Sequence, residues 1–245
     1  MILVVDAGNS RAKWAVHDGG QFTHHGWVPT AEIFALGEAW KALPSPDTVT
    51  IANVAGERAA AELLSQVGRW NMAPHFVTAM RNQCGVSSGY DDPAQLGPDR
   101  WAALIGARAL FACDCLVVNV GTAMTVDALT GQGDFLGGII VPGYELMHEA
   151  LATKAARLSA EEGVFSRFPR STRDAITSGA IQALCGALER MRQAVLDAGY
   201  AEPVLIFGGG AAPQVAPRLG HPVNIVEQLV LEGLVRIAGE PKDIR

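Results

Sequence analysis

Residues 1–16 read MILVVDAGNSRAKWAV. Ile2, Leu3, Val4 and Val5 form an apolar, β-branched run that stops at Asp6, and Ala7, Gly8, Asn9 and Ser10 supply turn chemistry before Lys13, Trp14, Ala15 and Val16 resume. This pattern predicts a strand, a tight turn and a returning strand. A buried strand that delivers a carboxylate into a glycine turn, with small hydroxyl and amide side chains beside it and a lysine just beyond, suits a phosphate and its metal ion. Glycine allows close backbone approach, free N–H groups face the anion, and the carboxylate holds a hydrated cation.

The same theme returns near the middle of the chain. Leu116-Val117-Val118-Asn119-Val120-Gly121 repeats the L-V-V-x-x-G pattern of Leu3 to Gly8, and Thr122-Ala123 answers Asn9-Ser10. Residues 49–55 read as strand, turn and helix start, and have a counterpart in 204–211, which carries Gly208, Gly209 and Gly210. Self-similarity on this scale indicates a duplicated unit. The expected architecture is therefore α/β, with two related halves, 1–114 and 115–245, facing one another across a cleft.

Composition bounds the rest. The chain has 245 residues, enough for a substantial core, and hydrophobic residues at 49% against charged residues at 18% describe a globular protein. A net charge of −6, with no basic block, argues against non-specific nucleic-acid binding. Apolar runs are interrupted well short of a membrane span, for instance at Arg108 and Asp114, and no basic leader with an apolar segment opens the chain, so a cytoplasmic location is expected. Cys84, Cys113, Cys115 and Cys185 have neither zinc nor disulfide spacing and read as free thiols.

Along the chain, helices are expected over 31–43, 57–70, from Pro98 to Leu110, 144–157, 171–198 and 225–238, with strands at 48–52, 74–78 and 137–143 and short strands and turns within 19–29. Residues 81–97 lose periodicity and read as a loop, a length that is often functional. That loop delivers Pro98 into a first helical turn, which leaves Asp99 near the positive helix end. Ser171 and Asp174 resemble a capping arrangement. Small residues fill the first half of the helix that follows, so something packs closely there.

Four motifs now stand in order: Asp6-Ala7-Gly8-Asn9-Ser10-Arg11-Ala12-Lys13, Gly97-Pro98-Asp99-Arg100-Trp101, Asn119-Val120-Gly121-Thr122-Ala123-Met124-Thr125-Val126-Asp127, and Gly137-Gly138-Ile139-Ile140-Val141-Pro142-Gly143. The ordered set resembles the type III pantothenate kinases, a family that includes the Bvg accessory factor homologues. The resemblance implies the acetate and sugar kinase, Hsc70 and actin fold, two ribonuclease H-like halves with the nucleotide between them. It implies ATP-dependent phosphorylation of pantothenate, the first step of coenzyme A synthesis, by a homodimer. Carried over, Asp6 would stand near Mg2+ and Lys13 near the phosphates, with Gly8, Asn9 and Ser10 in the same ATP-binding turn and Thr122 meeting ATP from the other half. Asp99 would be the general base. Tyr90, Gly97, Pro98, Arg100 and Thr172 would bind pantothenate, and Gly208 to Gly210 would pack against the adenosine.

The roles also make sense chemically. Phosphoryl transfer needs positioning, charge neutralisation and one carboxylate to orient the attacking hydroxyl, and Arg100 is a natural fork for the pantothenate carboxylate. The resemblance further implies that many relatives carry an aspartate where this chain has Asn119, which helps bind a monovalent cation, K+ or NH4+. A neutral amide there puts that dependence in question. Two alternatives stay open: a kinase of the same fold acting on another small hydroxy acid, and a nucleotide-binding regulatory protein.

Overall fold

The computed structural model describes residues 1–154 and 161–240. The chain packs as two compact units. The first comprises Met1–Ala112, Gly133–Phe135 and the segment that starts at Gln228; the second comprises Cys113–Gln132 and Leu136–Glu227. The expected halves, 1–114 and 115–245, differ from this division mainly at the C-terminal segment, which folds with the N-terminal unit.

In the first unit the opening stretch is the hairpin its sequence indicates. β1 (Ile2–Ala7) and β2 (Arg11–Asp18) are antiparallel, with Asp6 opposite Lys13, and β3 (Gln21–Pro29) extends the sheet as one nine-residue strand. A short 3-10 stretch (Thr30–Ala35) then runs into α1 (Leu36–Ala39), where one longer helix was expected. Glu32 breaks the helical backbone at φ −119°, and the two buried residues, Ile33 and Leu36, are spaced by three, as a 3-10 turn requires. β4 (Thr48–Asn53) lies parallel to β1, α2 (Glu57–Val67) follows, and β5 (His75–Phe76) closes the order β3–β2–β1–β4–β5.

Residues 81–97 are not a featureless loop. They hold a small hairpin, β6 (Asn82–Gln83) and β7 (Val86–Ser88), and a 3-10 turn at Pro93–Gln95, before α3 (Pro98–Leu110) begins. Strands of two and three residues leave no alternation for a sequence pattern to reveal.

The second unit repeats the plan. β8 (Cys115–Val120) and β9 (Ala123–Leu129) form an antiparallel hairpin, β10 (Asp134–Pro142) flanks β9, and α4 (Tyr144–Lys154) and the 26-residue α5 (Thr172–Asp197) follow. The expected end of α4 near 157 lies outside the described residues. β11 (Val204–Gly208) is parallel to β8, as β4 is to β1; after α6 (Ala212–Val215), β12 (Val223–Ile225) pairs parallel to β11. The order β12–β11–β8–β9–β10 mirrors β5–β4–β1–β2–β3. The registers carry the duplication to single residues, for Leu3 stands beside Val49 and Leu116 beside Leu205. The second hairpin is one residue shorter, its turn closing from Gly121 N to Ala123 O, where the first closes from Gly8 N to Arg11 O. This is the duplicated ribonuclease H-like fold.

Each sheet has an apolar face that the alternation of its strands dictates. In the first unit Leu3, Val5, Ala7, Ala12, Trp14 and Val16 meet α1 and α2 around a tryptophan group, with Trp14 edge-on to Trp40 and Trp40 stacked on Trp70. In the second, Leu116, Val118, Val126, Leu205 and Phe207 meet Ala180, Ile181, Leu184 and Leu188 of α5.

The opposite face of the first sheet receives α3 and the final helix, α7 (Leu229–Gly239). The helix expected from 225 begins only at Leu229; Ile225 pairs in β12 instead, since Val223 and Ile225 are β-branched and follow Pro222. α3 and α7 touch backbone to backbone: a Cβ on Gly233 would fall 1.8 Å from Ala102 O, and one on Gly106 would fall 2.4 Å from Leu229 O. This contact fixes α3, whose first turn carries Asp99, on the sheet that carries Asp6.

Candidate active site

In the first unit, Asp6 ends β1 on the sheet face that α3 and α7 cover, between Lys13 on β2 and Ala52 on β4. The turn beyond it is anchored twice by Thr30, whose hydroxyl donates to Gly8 O (2.6 Å) and whose N–H donates to Ser10 O (3.1 Å). Asn9 and Ser10 stand exposed at the tip. Thr30 had no signal of its own in the sequence, since its partner turn lies far back along the chain.

Asp99 sits in the first turn of α3, with Pro98 at the opening helical position and Gly97 before it. Its carboxylate accepts backbone N–H groups of that turn. A Cβ on Gly97 would come 2.6 Å from Asp99 Oδ1, so a larger residue there would displace the carboxylate. Burial raises the Asp99 carboxyl above its ordinary range, against the pull of the backbone N–H of Arg100 and the Arg100 guanidinium. Asp6 is raised further, to about 7, chiefly by burial and then by the charge of Asp99, with Lys13 opposing. Two carboxylates thus share one charged neighbourhood that a single lysine does not neutralise.

That imbalance fits a hard divalent cation. Among the described residues no three His, Cys, Asp or Glu side chains cluster to hold an ion unaided. One or two carboxylates, with water and phosphate oxygens completing the shell, is the usual magnesium arrangement.

Arg100 follows Asp99 and is only 5% exposed. Its Nη1 donates to Tyr90 Oη (3.2 Å), and its guanidinium carbon stands 5.9 Å from the Tyr90 ring centre. Tyr90 packs against the buried Phe135 ring (5.3 Å between centres) and remains half-exposed. Asp6, Lys13 and Asp99 therefore act on one another electrostatically, and Arg100 links Asp99 to Tyr90. Arg81 opens the same loop and donates to Ser88 O, Tyr90 O and Asp91 O. Sequence reasoning passed over it because a lone arginine in an aperiodic stretch reads as solvent-facing.

In the second unit, Asn119 ends β8 opposite Thr125 and beside Gly208. Gly209 follows with φ +89°, and a Cβ there would fall 2.3 Å from Val120 O and 2.6 Å from Asn119 Oδ1, so only glycine brings that backbone so close. Thr122 lies exposed in the β8–β9 turn, and its carbonyl accepts Gly143 N–H (2.8 Å) at the head of α4. Thr172 is the exposed first residue of α5, capped by Ser171 Oγ, which accepts Asp174 N–H (3.2 Å).

The close packing expected on the small residues of α5 is not found: Ala175, Gly179 and Ala183 are exposed and a Cβ on Gly179 would meet nothing within 4 Å, because the helix turns Ala180, Ile181 and Leu184 to the core. A strap just ahead of α5 bonds instead to polar side chains of its first turns. Gly163 N–H donates to Thr177 Oγ1 (2.9 Å), Val164 N–H to Asp174 Oδ1 (2.8 Å) and Ser166 N–H to Ser178 Oγ (2.9 Å). Tyr144 Oη shares Thr177 with the strap and donates to Glu162 Oε1 (3.2 Å). On α4, Met147 joins the core, while Leu146 and Leu151 stay 41% and 42% exposed.

A family profile described as type III pantothenate kinase matches residues 2–194. The chain belongs to that family. Relatives named type III pantothenate kinase include one from Nitrosospira multiformis, 43% identical over 99% of this chain and 93% of its own, and one from Aromatoleum aromaticum, 48% identical over 98% of each. Among solved structures, component A of the (R)-2-hydroxyglutaryl-CoA dehydratase of Acidaminococcus fermentans aligns at TM-score 0.54 and 12% identity over 97% of this chain and 95% of its own. That likeness is one of fold. Among the described residues no helix of this family member is long and apolar enough to cross a membrane.

Proposed function

We propose that this chain transfers the γ-phosphoryl group of ATP to the primary hydroxyl of pantothenate, giving 4'-phosphopantothenate and ADP. Besides family membership, the observation that carries this reading is the charge arrangement of the first unit. Asp99 stands at a helix start, and Asp6 is raised to about 7 by burial and by Asp99's charge, with Lys13 across the strand pair. Such a pair serves a reaction that needs one carboxylate for a cation and another for a proton.

In this reading Asp99 accepts the hydroxyl proton as the pantothenate oxygen forms its bond to the γ-phosphorus and the bond to the ADP oxygen breaks. The backbone N–H groups on Asp99 and the adjacent guanidinium favour its ionised form, opposing the effect of burial. Arg100 and the half-exposed Tyr90 hydroxyl receive the pantothenate carboxylate, with Gly97 and Pro98 setting the helix start. Lys13 and the backbone of Gly8, Asn9 and Ser10 hold the phosphates. Asp6 would hold Mg2+ through water, and the ion would supply charge neutralisation on the nucleotide phosphates.

In the second unit Thr122 serves ATP, Gly208, Gly209 and Gly210 face the adenosine, and Thr172 serves pantothenate. Asn119, offering an amide oxygen and no charge, weakens any monovalent-cation site. The exposed Leu146 and Leu151, which core burial does not account for, serve a homodimer contact, and the protein works in the cytoplasm. Purified protein with ATP, Mg2+ and pantothenate, assayed with and without K+ or NH4+, is expected to form phosphopantothenate in both conditions. No product in either would overturn the reading.

A further inference from the structure

Tyr90 is the one half-exposed aromatic residue of the acid-binding group proposed above, and it sits in a stretch with little regular structure. Its phenol must nonetheless meet the Arg100 guanidinium within hydrogen-bond reach. Packing on Phe135 fixes one face of the ring (5.3 Å), and Tyr90 N–H donates to Ser88 Oγ at 3.3 Å. Gly89 N–H donates to Phe135 O (2.9 Å) and holds the chain before the tyrosine, but none of these contacts holds the main chain on both sides of it.

The guanidinium of Arg81 does. Nη1 donates to Ser88 O and to Tyr90 O, and Nη2 to Asp91 O, each at 2.8 Å. The Arg81 carbonyl accepts Ser88 N–H (2.9 Å), so the residue also closes the mouth of the β6–β7 hairpin. Charge-assisted bonds from one rigid fork to three carbonyls fix the path of residues 88–91.

We propose that Arg81 is a positioning residue for the acid substrate, holding the Tyr90 hydroxyl on Arg100 by gripping the carbonyls of Ser88, Tyr90 and Asp91. The proposal rests on the reading that Tyr90 and Arg100 receive pantothenate. Without the grip, the loop holds its binding-competent path for only a fraction of the time. Apparent affinity falls by that fraction.

The test is steady-state kinetics of Arg81→Ala, Arg81→Lys, Tyr90→Phe and the double variant Arg81→Ala/Tyr90→Phe, with thermal unfolding of each. For Arg81→Ala the KM for pantothenate is expected to rise about tenfold, a competent fraction of roughly one in ten. Its kcat and KM for ATP should stay within about twofold, a split that general loss of structure does not produce. Arg81→Lys, a point charge without the fork, recovers only part of the loss. In the Tyr90→Phe background, Arg81→Ala should add less than about twofold, because both act through the same hydroxyl. Full additivity, or parallel changes in KM for both substrates, would overturn the role of Arg81. Should Arg81→Ala not fold, Arg81→Lys carries the same comparison. If Tyr90→Phe raises the pantothenate KM and Arg81→Ala does not, only the Arg81 inference fails. If Tyr90→Phe itself leaves that KM unchanged, the reading of the acid site fails with it.

Discussion

Asp6→Asn should make the ligand-free protein more stable at pH 8 while abolishing turnover. The Asp6 carboxyl titrates at about 7 in the folded chain, because burial and the neighbouring Asp99 charge disfavour its ionised form. In the unfolded chain it ionises near 4. Between those values the folded state holds a proton that the unfolded state has released, so this residue's contribution to stability falls as pH rises and its penalty is complete above pH 7. At 1.36 kcal/mol per pH unit the full penalty is about 4 kcal/mol, and relaxation around a partly hydrated carboxylate reduces it to on the order of 2 kcal/mol. An asparagine of the same shape carries no charge and escapes it. For a chain of this size that is a rise in Tm of about 4–8 °C. The assay is thermal unfolding of both proteins at pH 5 and pH 8, with and without Mg2+ and ATP. The difference should be small at pH 5 and large at pH 8. Mg2+ with ATP should stabilise the parent far more than the variant. An Asp6→Asn protein that is no more stable at pH 8, or whose advantage is equal at both pH values, would refute the electrostatic account of this site.

Three further variants probe the scaffold, two single and one double. Gly97→Ala puts a Cβ within 2.6 Å of Asp99 Oδ1 and so displaces the carboxylate, and kcat should fall by on the order of tenfold or more with little change in Tm. Gly233→Ala forces α3 and α7 apart and should cost about 1–3 kcal/mol in denaturant unfolding, with activity falling because α3 carries Asp99. The pair Leu146→Glu and Leu151→Glu removes the exposed apolar stripe of α4 and should convert a dimer to a monomer in sedimentation; a parent protein that is monomeric at all concentrations would reject the dimer.

The duplicated plan was legible because β1 and β8 carry the same apolar run into the same kind of glycine turn, a strictly local signal. The helix start at Asp99 was equally legible, since Pro98 can occupy a first turn and little else in a helix. The placement of α7 was not. Its amphipathic pattern declares a buried face without naming which sheet covers it, and only the glycine contacts at Gly106 and Gly233 decide that. The electrostatic link between Asp6 and Asp99 depends on that same packing and so has no trace in either motif taken alone. Thr30 and Arg81 were missed for a related reason: each acts through main-chain groups, and a main-chain partner leaves no mark in the sequence. The strap on α5 was not legible, for the small residues that promised a close neighbour, Ala175, Gly179 and Ala183, stand exposed, and the strap is held instead by main-chain N–H groups bonding to Asp174, Thr177 and Ser178.

The central claim is that Asp99 removes the proton from the attacking hydroxyl, and single-turnover phosphorylation of pantothenate by Asp99→Asn tests it most directly. The neutral amide keeps the shape of the helix start, so substrate binding and Tm should be little altered while the chemical step slows by on the order of 10²-fold or more. A rate within a few-fold of the parent, with both substrates still bound, would contradict the assignment.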